Sequence, residues 1–295
     1  MINSIEITNS LVSVDWLTQN IDASNLIVLD ATIDKVTANK TPSKITDKTQ
    51  IRNARFLDLK NKFSDTDSDL PNTMLSSKEF EESARQLGID KTSAIVVYDD
   101  LGIYASARIW WMYKAMGHHN IAVLDGGLPE WTRAGLPVEK ASLYRGKRGD
   151  FTADYNKNYM NDCSEILETI NNDNLSVLDA RSKNRFNGTE IEPREGLRSG
   201  HIPNSINLPY TELIEQGKMK SKEVLKTIFS NLKIEDSKLI FSCGSGITAC
   251  ILALGAEIVG LQHTSVYDGS WTEWGSLPND IYPVSTSAIN NNLNN

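Results

Sequence analysis

The sequence is poor in cysteine, in long apolar runs and in basic charge, and each shortage argues against a class of protein. Three cysteines in 295 residues are too few for a disulfide scaffold and suit a reducing compartment. No uncharged apolar run reaches the ~18 residues needed to cross a bilayer. The chain has 30 lysines and arginines and 38 aspartates and glutamates, which gives a net charge of −8. This negative charge argues against a protein that coats nucleic acid.

The start of the chain is expected to carry no targeting signal, and the end is expected to be disordered. Residues 1–15 have neither the basic and apolar regions of a signal peptide nor an arginine-rich presequence, so we expect a cytoplasmic protein with no membrane partner. Residues 286–295 are rich in asparagine and are expected to form a disordered tail. The intervening chain has ordinary globular composition, with 40% hydrophobic residues, and its length suits two domains.

The chain repeats itself. Four segments of the first half return in the same order and at nearly constant offsets in the second half: 28–31 at 177–180, 51–54 at 202–205, 94–98 at 238–242, and 125–127 with Trp131 at 268–270 with Trp274. One such pair could arise by chance, but four in order indicate a duplicated domain. We therefore expect a first domain over 1–140, a polar linker over 141–158 and a second domain over 159–285.

Within each half, short β-branched runs alternate with amphipathic stretches. This alternation predicts an α/β fold in which each domain has a parallel sheet flanked by helices. The expected strands are 26–29, 94–98, 122–124, 175–178, 238–242 and 265–267, and the expected helices are 77–87, 105–116, 221–232 and 248–259.

The most informative segment is the loop that begins at Cys243. A buried strand ends at this cysteine, a turn with Gly244 and Gly246 follows, and a helix begins near Thr248. Ligands bind at the carboxyl ends of strands in open α/β sheets. The glycines let backbone N–H groups converge, and the helix adds its positive end, so the loop favours a nucleophilic thiolate and can hold a second, anionic sulfur. The repeat puts Asp99 at the position of Cys243, and a carboxylate cannot act as this nucleophile, so the first domain is expected to be non-catalytic.

With this loop and the repeat, the chain resembles tandem-domain sulfurtransferases of the rhodanese superfamily, and among them most closely the 3-mercaptopyruvate sulfurtransferases. The loop Cys243-Gly244-Ser245-Gly246-Ile247-Thr248 matches the pattern Cys-Gly-Ser-Gly-Val-Thr with isoleucine in place of valine. Further matching segments are Ser106–Trp111, Arg185–Arg194, Gly200–Pro203 and Tyr267–Trp274.

The resemblance implies a division of labour. Cys243 would take sulfur from 3-mercaptopyruvate as a persulfide and pass it to a thiol acceptor such as thioredoxin, or to cyanide. Arg185 and Arg194 would bind the substrate carboxylate and keto oxygen, which suits the bidentate geometry of guanidinium groups. Ser245 would bond the keto oxygen or help to protonate the enolate. Backbone N–H groups of Gly244, Gly246, Ile247 and Thr248 would complete the sulfur cradle, and the Thr248 side chain would cap the helix. No cofactor or metal is implied.

The chain departs from some relatives, which carry an aspartate and a histidine that are proposed to form a proton relay with the loop serine. Thr73 falls at the histidine position and Lys60 near the aspartate position. Direct proton donation by water or by Ser245 is the simpler expectation for this chain.

The other histidines and cysteines are interpreted as structural. His201 is expected to support the fold, and His118, His119 and His263 to be helix C-terminal caps or surface groups. Cys163 is expected to begin a helix and Cys250 to face the core, with no spacing typical of zinc sites. Five tryptophans are expected to pack in the core or between the domains: Trp110, Trp111, Trp131, Trp271 and Trp274.

Three other functions remain as alternatives. A thiosulfate sulfurtransferase has the same fold, but its loop usually carries cationic side chains where Gly244 and Ser245 are neutral here. A cysteine phosphatase needs a longer loop that ends in arginine, and the corresponding position is Ala249. A persulfide carrier or interaction module that does not turn over a small molecule is the third.

Overall fold

The computed structural model describes residues 4–34, 48–170, 172, 174–232, 234 and 238–286. The predicted disordered tail lies outside these residues, apart from Thr286. The chain divides into two compact units, and each unit includes a short segment from the other half of the sequence. Unit 1 comprises Met1–Asp67, Met74–Lys157 and Ile214–Met219, and unit 2 comprises Ser68–Thr73, Asn158–Leu213 and Lys220–Asn295.

Unit 1 contains a five-stranded parallel sheet in the order β1-β6-β5-β2-β4. Its strands are β1 (Leu11–Val12), β2 (Leu26–Asp30), β4 (Arg55–Phe56), β5 (Ala94–Tyr98) and β6 (Ile121–Leu124). A separate antiparallel pair joins β3 (Thr49–Ile51) to β7 (Val138–Lys140), and a hairpin joins β11 (Ile214–Glu215) to β12 (Lys218–Met219).

Unit 2 contains an equivalent parallel sheet in the order β10-β9-β13-β14-β8. Its strands are β8 (Met160–Asn161), β9 (Leu175–Asp179), β10 (Ile206–Asn207), β13 (Lys238–Ser242) and β14 (Thr264–Tyr267). Read from the opposite edge, the strand order repeats that of unit 1. The central strands also share their register, since Asp30 pairs with Tyr98 as Asp179 pairs with Ser242.

Ten α-helices accompany the two sheets in the described part of the chain. They are α1 (Val14–Asn20), α2 (Leu59–Lys62), α3 (Ser77–Gln86), α4 (Ala105–Ala115), α5 (Gly127–Arg133), α6 (Cys163–Thr169), α7 (Lys183–Asn187), α8 (Lys222–Ser230), α9 (Ala249–Val259) and α10 (Ser270–Trp274). Short 3-10 turns span Lys157–Tyr159 and Tyr210–Glu212. Across the described residues, no helix combines the length and apolar character needed to cross a bilayer.

Local sequence explains where the main elements begin and why they are buried. Every residue of β5 is buried, which fits its apolar, β-branched sequence Ala-Ile-Val-Val-Tyr. A capping box stabilises the start of α3 through Ser76 and Glu79, and a second one starts α6 through Asp162 and Glu165. The predicted α/β fold is confirmed, and the ten predicted elements are present with small differences at their ends.

His118 has the first of its two predicted roles, at the C-terminal end of α4, and is not a surface group. Its backbone N–H bonds the carbonyl of Tyr113 after α4, but its ring is buried rather than exposed. The ring lies 6.0 Å from that of Tyr113 and 5.7 Å from that of Phe151. This aromatic pocket keeps water from the imidazole, so burial lowers the pKa of His118.

The lowered pKa of His118 predicts acid sensitivity. A histidine whose pKa is lower in the folded than in the unfolded state stabilises the fold above its unfolded pKa, and this contribution is lost as the pH falls. We expect the melting temperature to fall between pH 7.5 and pH 5.5, and to fall less in His118→Gln. Calorimetry at both pH values measures this difference. His119→Gln, at the exposed neighbouring position, is the matched control, and an equal pH dependence in all three proteins would contradict the prediction.

Candidate active site

Cys243 lies where the second sheet presents the end of a central strand. It follows β13, which pairs on both sides with β9 and β14, and its side chain is buried with 1% exposure. Helix α9 begins six residues later at Ala249. The predicted strand, loop and helix are therefore present, and the loop lies at the sheet edge where open α/β proteins bind ligands.

A buried serine, Ser270, ties this loop together. Its hydroxyl oxygen lies 3.2 Å from the backbone nitrogens of both Cys243 and Gly246 and accepts from them. The hydroxyl donates to the carbonyl of Tyr267 over 2.8 Å, and it lies 4.0 Å from the Cys243 sulfur. The side chain thus fixes both the residue that bears the thiol and the turn that follows it.

The backbone of Ser270 indicates that its hydroxyl matters. Its φ is +51°, in the left-handed region that residues other than glycine, asparagine and aspartate rarely adopt. The equivalent position of unit 1 is Gly127, with φ +53°. Ser270 therefore has a strained backbone conformation at a position where the other unit has a glycine, which adopts that conformation without strain. Sequence reasoning did not select Ser270, although the aligned repeats Asp125-Gly126-Gly127 and Asp268-Gly269-Ser270 contain the signal.

Two substitutions separate the hydroxyl of Ser270 from its strain. Ser270→Ala removes the hydrogen bonds and keeps the strained φ, so we expect the free energy of unfolding to fall by about 2 kcal/mol. Ser270→Gly removes the same bonds but relieves the strain, and it should be more stable than the alanine variant by about 1 kcal/mol. Urea unfolding of the three proteins measures both differences. Equal stability of the two variants would contradict the role assigned to φ.

Arg185 is oriented by a buried acid that lies seven residues further along the same matching segment. Its Nε and Nη2 donate to Glu192, whose side chain is 1% exposed. Glu192 also accepts from Arg181 Nη1 over 2.8 Å, and Arg181 pairs in turn with Asp179. A Cβ added to Gly244 would lie 3.2 Å from Arg185 Nη2. The network therefore holds the remaining N–H groups of this guanidinium beside the residue that follows the thiol.

Arg194 reaches the same residue through a threonine. Its Nη1 donates to Thr272 Oγ1 over 3.3 Å, and that hydroxyl donates to the carbonyl of Gly244 over 2.6 Å. The backbone N–H of Thr272 bonds the same carbonyl over 2.9 Å. The structure thus brings both predicted arginines to Gly244, one beside its Cα and one linked to its carbonyl.

Ser245 is buried and contacts a residue from far away in the sequence. Asn72 Nδ2 lies 3.1 Å from Ser245 Oγ and 3.2 Å from the Ser245 carbonyl oxygen. Thr73, the position of the relay histidine in some relatives, instead bonds Ser68 Oγ and the carbonyl of Leu70. Lys60 lies on α2 of unit 1 and is exposed.

The rest of the predicted cradle has mixed roles. The N–H of Gly246 donates to Ser270, and its carbonyl accepts from the Cys250 thiol over 3.3 Å. Ile247 is buried. Thr248 occupies the N-cap position of α9, but its side chain makes no capping bond, because its backbone is already helical (φ −73°, ψ −16°). The predicted cap by this side chain is therefore wrong.

The equivalent loop of unit 1 is closed by its own carboxylate. Asp99 Oδ1 accepts from the backbone N–H of Leu101, and Oδ2 accepts from the N–H groups of Tyr104 and Ser106 and from the Ser106 hydroxyl. The carbonyl of Asp99 accepts from Leu128, as that of Cys243 accepts from Trp271. The backbone framework is thus shared, while the N–H groups that could hold a ligand anion are satisfied internally.

The remaining predicted groups support the fold. His201 Nδ1 lies 2.8 Å from the carbonyl of Phe186, and its ring stacks on the Phe186 ring, so it braces α7, which carries Arg185. Cys163 begins α6 and Cys250 is buried in α9, as predicted. The five tryptophans that were expected to be packed inside the protein are buried, as predicted: Trp110, Trp111, Trp131, Trp271 and Trp274. Within the described residues, no group of three His, Cys, Asp or Glu side chains could hold a metal ion.

Comparisons with known proteins relate both units to one domain type. Residues 13–134 and 162–277 each match the rhodanese-like domain. Human 3-mercaptopyruvate sulfurtransferase is 35% identical over 288 residues, which cover 94% of this chain and 96% of the human protein. The mitochondrial thiosulfate/3-mercaptopyruvate sulfurtransferase 1 of Arabidopsis thaliana is 35% identical over 298 residues. The aligned region covers 94% of this chain and 78% of the Arabidopsis protein. The crystal structure of SseA, a 3-mercaptopyruvate sulfotransferase from Escherichia coli, superposes on this chain with a TM-score of 0.81 at 30% identity. The superposition covers 90% of this chain and 99% of the SseA chain.

Proposed function

We infer that this chain, which belongs to the family of proteins with rhodanese-like domains, is an enzyme that transfers sulfur from 3-mercaptopyruvate to a thiol or cyanide and releases pyruvate. One observation carries the proposal. A buried cysteine at the end of a central strand is followed by a neutral glycine, and two arginines converge on that glycine. A small α-keto acid with a terminal thiol has a carboxylate for the arginines and a sulfur for the cysteine.

The first half-reaction moves one sulfur atom to Cys243. Its thiolate attacks the substrate sulfur and forms a sulfur–sulfur bond while the carbon–sulfur bond breaks. The electron pair of the broken bond passes to the carbon skeleton, and pyruvate leaves as its enolate, which gains a proton at carbon. Cys243 then carries a persulfide. In the second half-reaction an acceptor thiolate attacks the outer sulfur and restores the Cys243 thiolate.

Arg185 and Arg194 bind and orient the substrate in this scheme. Their guanidinium groups pair with the carboxylate and the keto oxygen, because the planar set of N–H donors matches the geometry of these acceptors. Glu192 neutralises part of the positive charge while it fixes the direction of Arg185. The substrate sulfur is thereby presented to the thiolate of Cys243 in a position for attack.

The loop supports 3-mercaptopyruvate as the donor over thiosulfate. Thiosulfate is a divalent anion and favours cationic side chains after the cysteine, whereas Gly244 and Ser245 are neutral. Thiosulfate transfer remains the second candidate because the Arabidopsis relative carries both donors in its name. Cleavage of phosphate esters is not supported, since Ala249 stands where such an enzyme needs arginine.

The two halves have different tasks in this proposal. The catalytic domain spans 159–285, and the domain over 1–140 is non-catalytic because Asp99 replaces the nucleophile, with 141–158 as the linker. A protein thiol of the thioredoxin type is the proposed acceptor, because the outer sulfur of a persulfide is transferred to a thiolate. The cytoplasm is the proposed location, where such reduced thiols are present.

A donor comparison tests the proposal. Purified protein is supplied with either 3-mercaptopyruvate or thiosulfate and with an excess of dithiothreitol or reduced thioredoxin. We expect pyruvate release to exceed sulfite release at equal donor concentration. Faster turnover of thiosulfate would favour the second candidate. Formation of a persulfide without turnover of either donor would contradict the enzyme and favour a sulfur carrier.

A further inference from the structure

We propose that Asn72 is a positioning residue that directs the hydroxyl proton of Ser245 toward the departing enolate. The inference rests on the proposed function and adds a residue to it. Asn72 belongs to the segment Ser68–Thr73, which comes from the first half of the sequence but packs within unit 2. Both Asn72 and Ser245 are buried, with 8% and 7% exposure.

The orientation of the Asn72 amide follows from its two partners. One terminal atom of the side chain faces the carbonyl oxygen of Ser245 over 3.2 Å and the hydroxyl oxygen of Ser245 over 3.1 Å. A carbonyl oxygen only accepts hydrogen bonds, so the atom that faces it is the NH₂ group. The same NH₂ group supplies its second hydrogen to the hydroxyl oxygen.

This arrangement decides where the proton of Ser245 points. A hydroxyl group has one hydrogen to donate, and its oxygen has lone pairs that accept. Because the amide of Asn72 occupies a lone pair, the Ser245 O–H is directed away from Asn72. Ser245 lies two residues after the nucleophile, so an oxygen of a bound α-keto acid is the acceptor that the reaction supplies.

The hydrogen bond from the Ser245 hydroxyl to the substrate oxygen is strongest when the enolate forms. The electron pair from the broken carbon–sulfur bond places negative charge on the former keto oxygen, and a donor aimed at that oxygen stabilises the charge. Ser245 keeps its own proton in this step, and water supplies the proton that completes the methyl group of pyruvate. The chain thus replaces a titrating relay with an amide that does not titrate.

The backbone of Asn72 supports a fixed role. Its φ is +61°, a left-handed conformation that asparagine and aspartate adopt more readily than most residues. Hydroxyl bonds of Thr73 to Ser68 and Leu70 hold the same segment. Substitutions by aspartate or glycine therefore change the side chain while they keep this backbone conformation accessible.

Steady-state kinetics of pyruvate release test the proposal in a double-mutant cycle. The variants are Asn72→Asp, Ser245→Ala, the double variant, and Asn72→Gly, with Asp69→Asn at an exposed position of the same segment as the matched control. The carboxylate of Asn72→Asp accepts the Ser245 proton and turns it away from the substrate. We expect Asn72→Asp and Ser245→Ala each to lower kcat about 10²-fold with little change in KM, and Asn72→Gly to lower it about ten-fold.

The decisive result is the coupling between the two residues. If Asn72 acts through Ser245, Asn72→Asp has no further effect in the Ser245→Ala background. If Asn72→Asp lowers kcat equally with and without the Ser245 hydroxyl, or leaves kcat at the wild-type value, the proposal is overturned. The proposed function still stands in both cases as long as the wild-type protein releases pyruvate. Wild-type protein that releases no pyruvate would overturn both. Alkylation of Cys243 by iodoacetamide at the wild-type rate in each variant shows that the loop is folded, and Asp69→Asn should match wild type throughout.

Discussion

Replacing Cys243 by serine reduces pyruvate release from 3-mercaptopyruvate by at least about 10³-fold, because no other group in the loop can form the persulfide. A serine hydroxyl is similar in size but is a much weaker nucleophile toward sulfur near neutral pH. Turnover with a thiol acceptor is measured by coupling pyruvate to lactate dehydrogenase. The buried site tolerates this substitution sterically, so circular dichroism should show an unchanged fold.

Another cysteine provides the control for this loss. Cys163 is half-buried at the start of α6, away from the loop in sequence, and Cys163→Ser should turn over at the wild-type rate. Residual activity of one tenth or more in Cys243→Ser would contradict the assignment of the nucleophile. Equal losses in both serine variants would point to a general effect on folding.

Replacing Glu192 by glutamine weakens both substrate binding and the fold. The carboxylate sits between Arg181 and Arg185 with 1% of its side chain exposed. Removing one partner of a buried ion network leaves a charge uncompensated, which costs about 3 kcal/mol. We also expect KM for 3-mercaptopyruvate to rise at least about ten-fold, since Arg185 loses the partner that aims it at Gly244.

Glu190 offers a matched control in the same segment. Its side chain is exposed and accepts a long bond from Ser182 over 3.4 Å, so Glu190→Gln should leave both KM and stability unchanged. Urea unfolding and a substrate titration of the two variants measure both effects. A KM of Glu192→Gln at the wild-type value would contradict its role in orienting Arg185, whatever the change in stability.

Local patterns predicted most of the fold. The apolar runs that became β5 and β13 are long enough to show burial, and the repeat predicted that both sheets share one plan. The family resemblance based on the loop and its companion motifs is confirmed. The four edge strands β1, β4, β8 and β10 were not predicted, because two residues carry no periodicity.

Tertiary contacts explain what the sequence did not reveal about the site. Glu192 and Asn72 matter through partners brought close by folding. Glu192 lies within the matching segment Arg185–Arg194, but only the structure shows that it joins Arg181 to Arg185, and Asn72 lies in none of the matching segments. The sequence did identify the lost relay at Thr73, but the structure gives the neighbouring Asn72 the contact with Ser245. Ser270 was visible in the repeat, yet only its positive φ beside that of Gly127 distinguishes its role.

Mass spectrometry of the protein after brief exposure to 3-mercaptopyruvate, without an acceptor, tests the central claim most directly. We expect the peptide that contains Cys243 to gain the mass of one sulfur atom, with one pyruvate released for each modified chain. The added sulfur should disappear when dithiothreitol is supplied. Pyruvate release with an unmodified Cys243, or the added sulfur on Cys163 or Cys250 instead, would contradict the account.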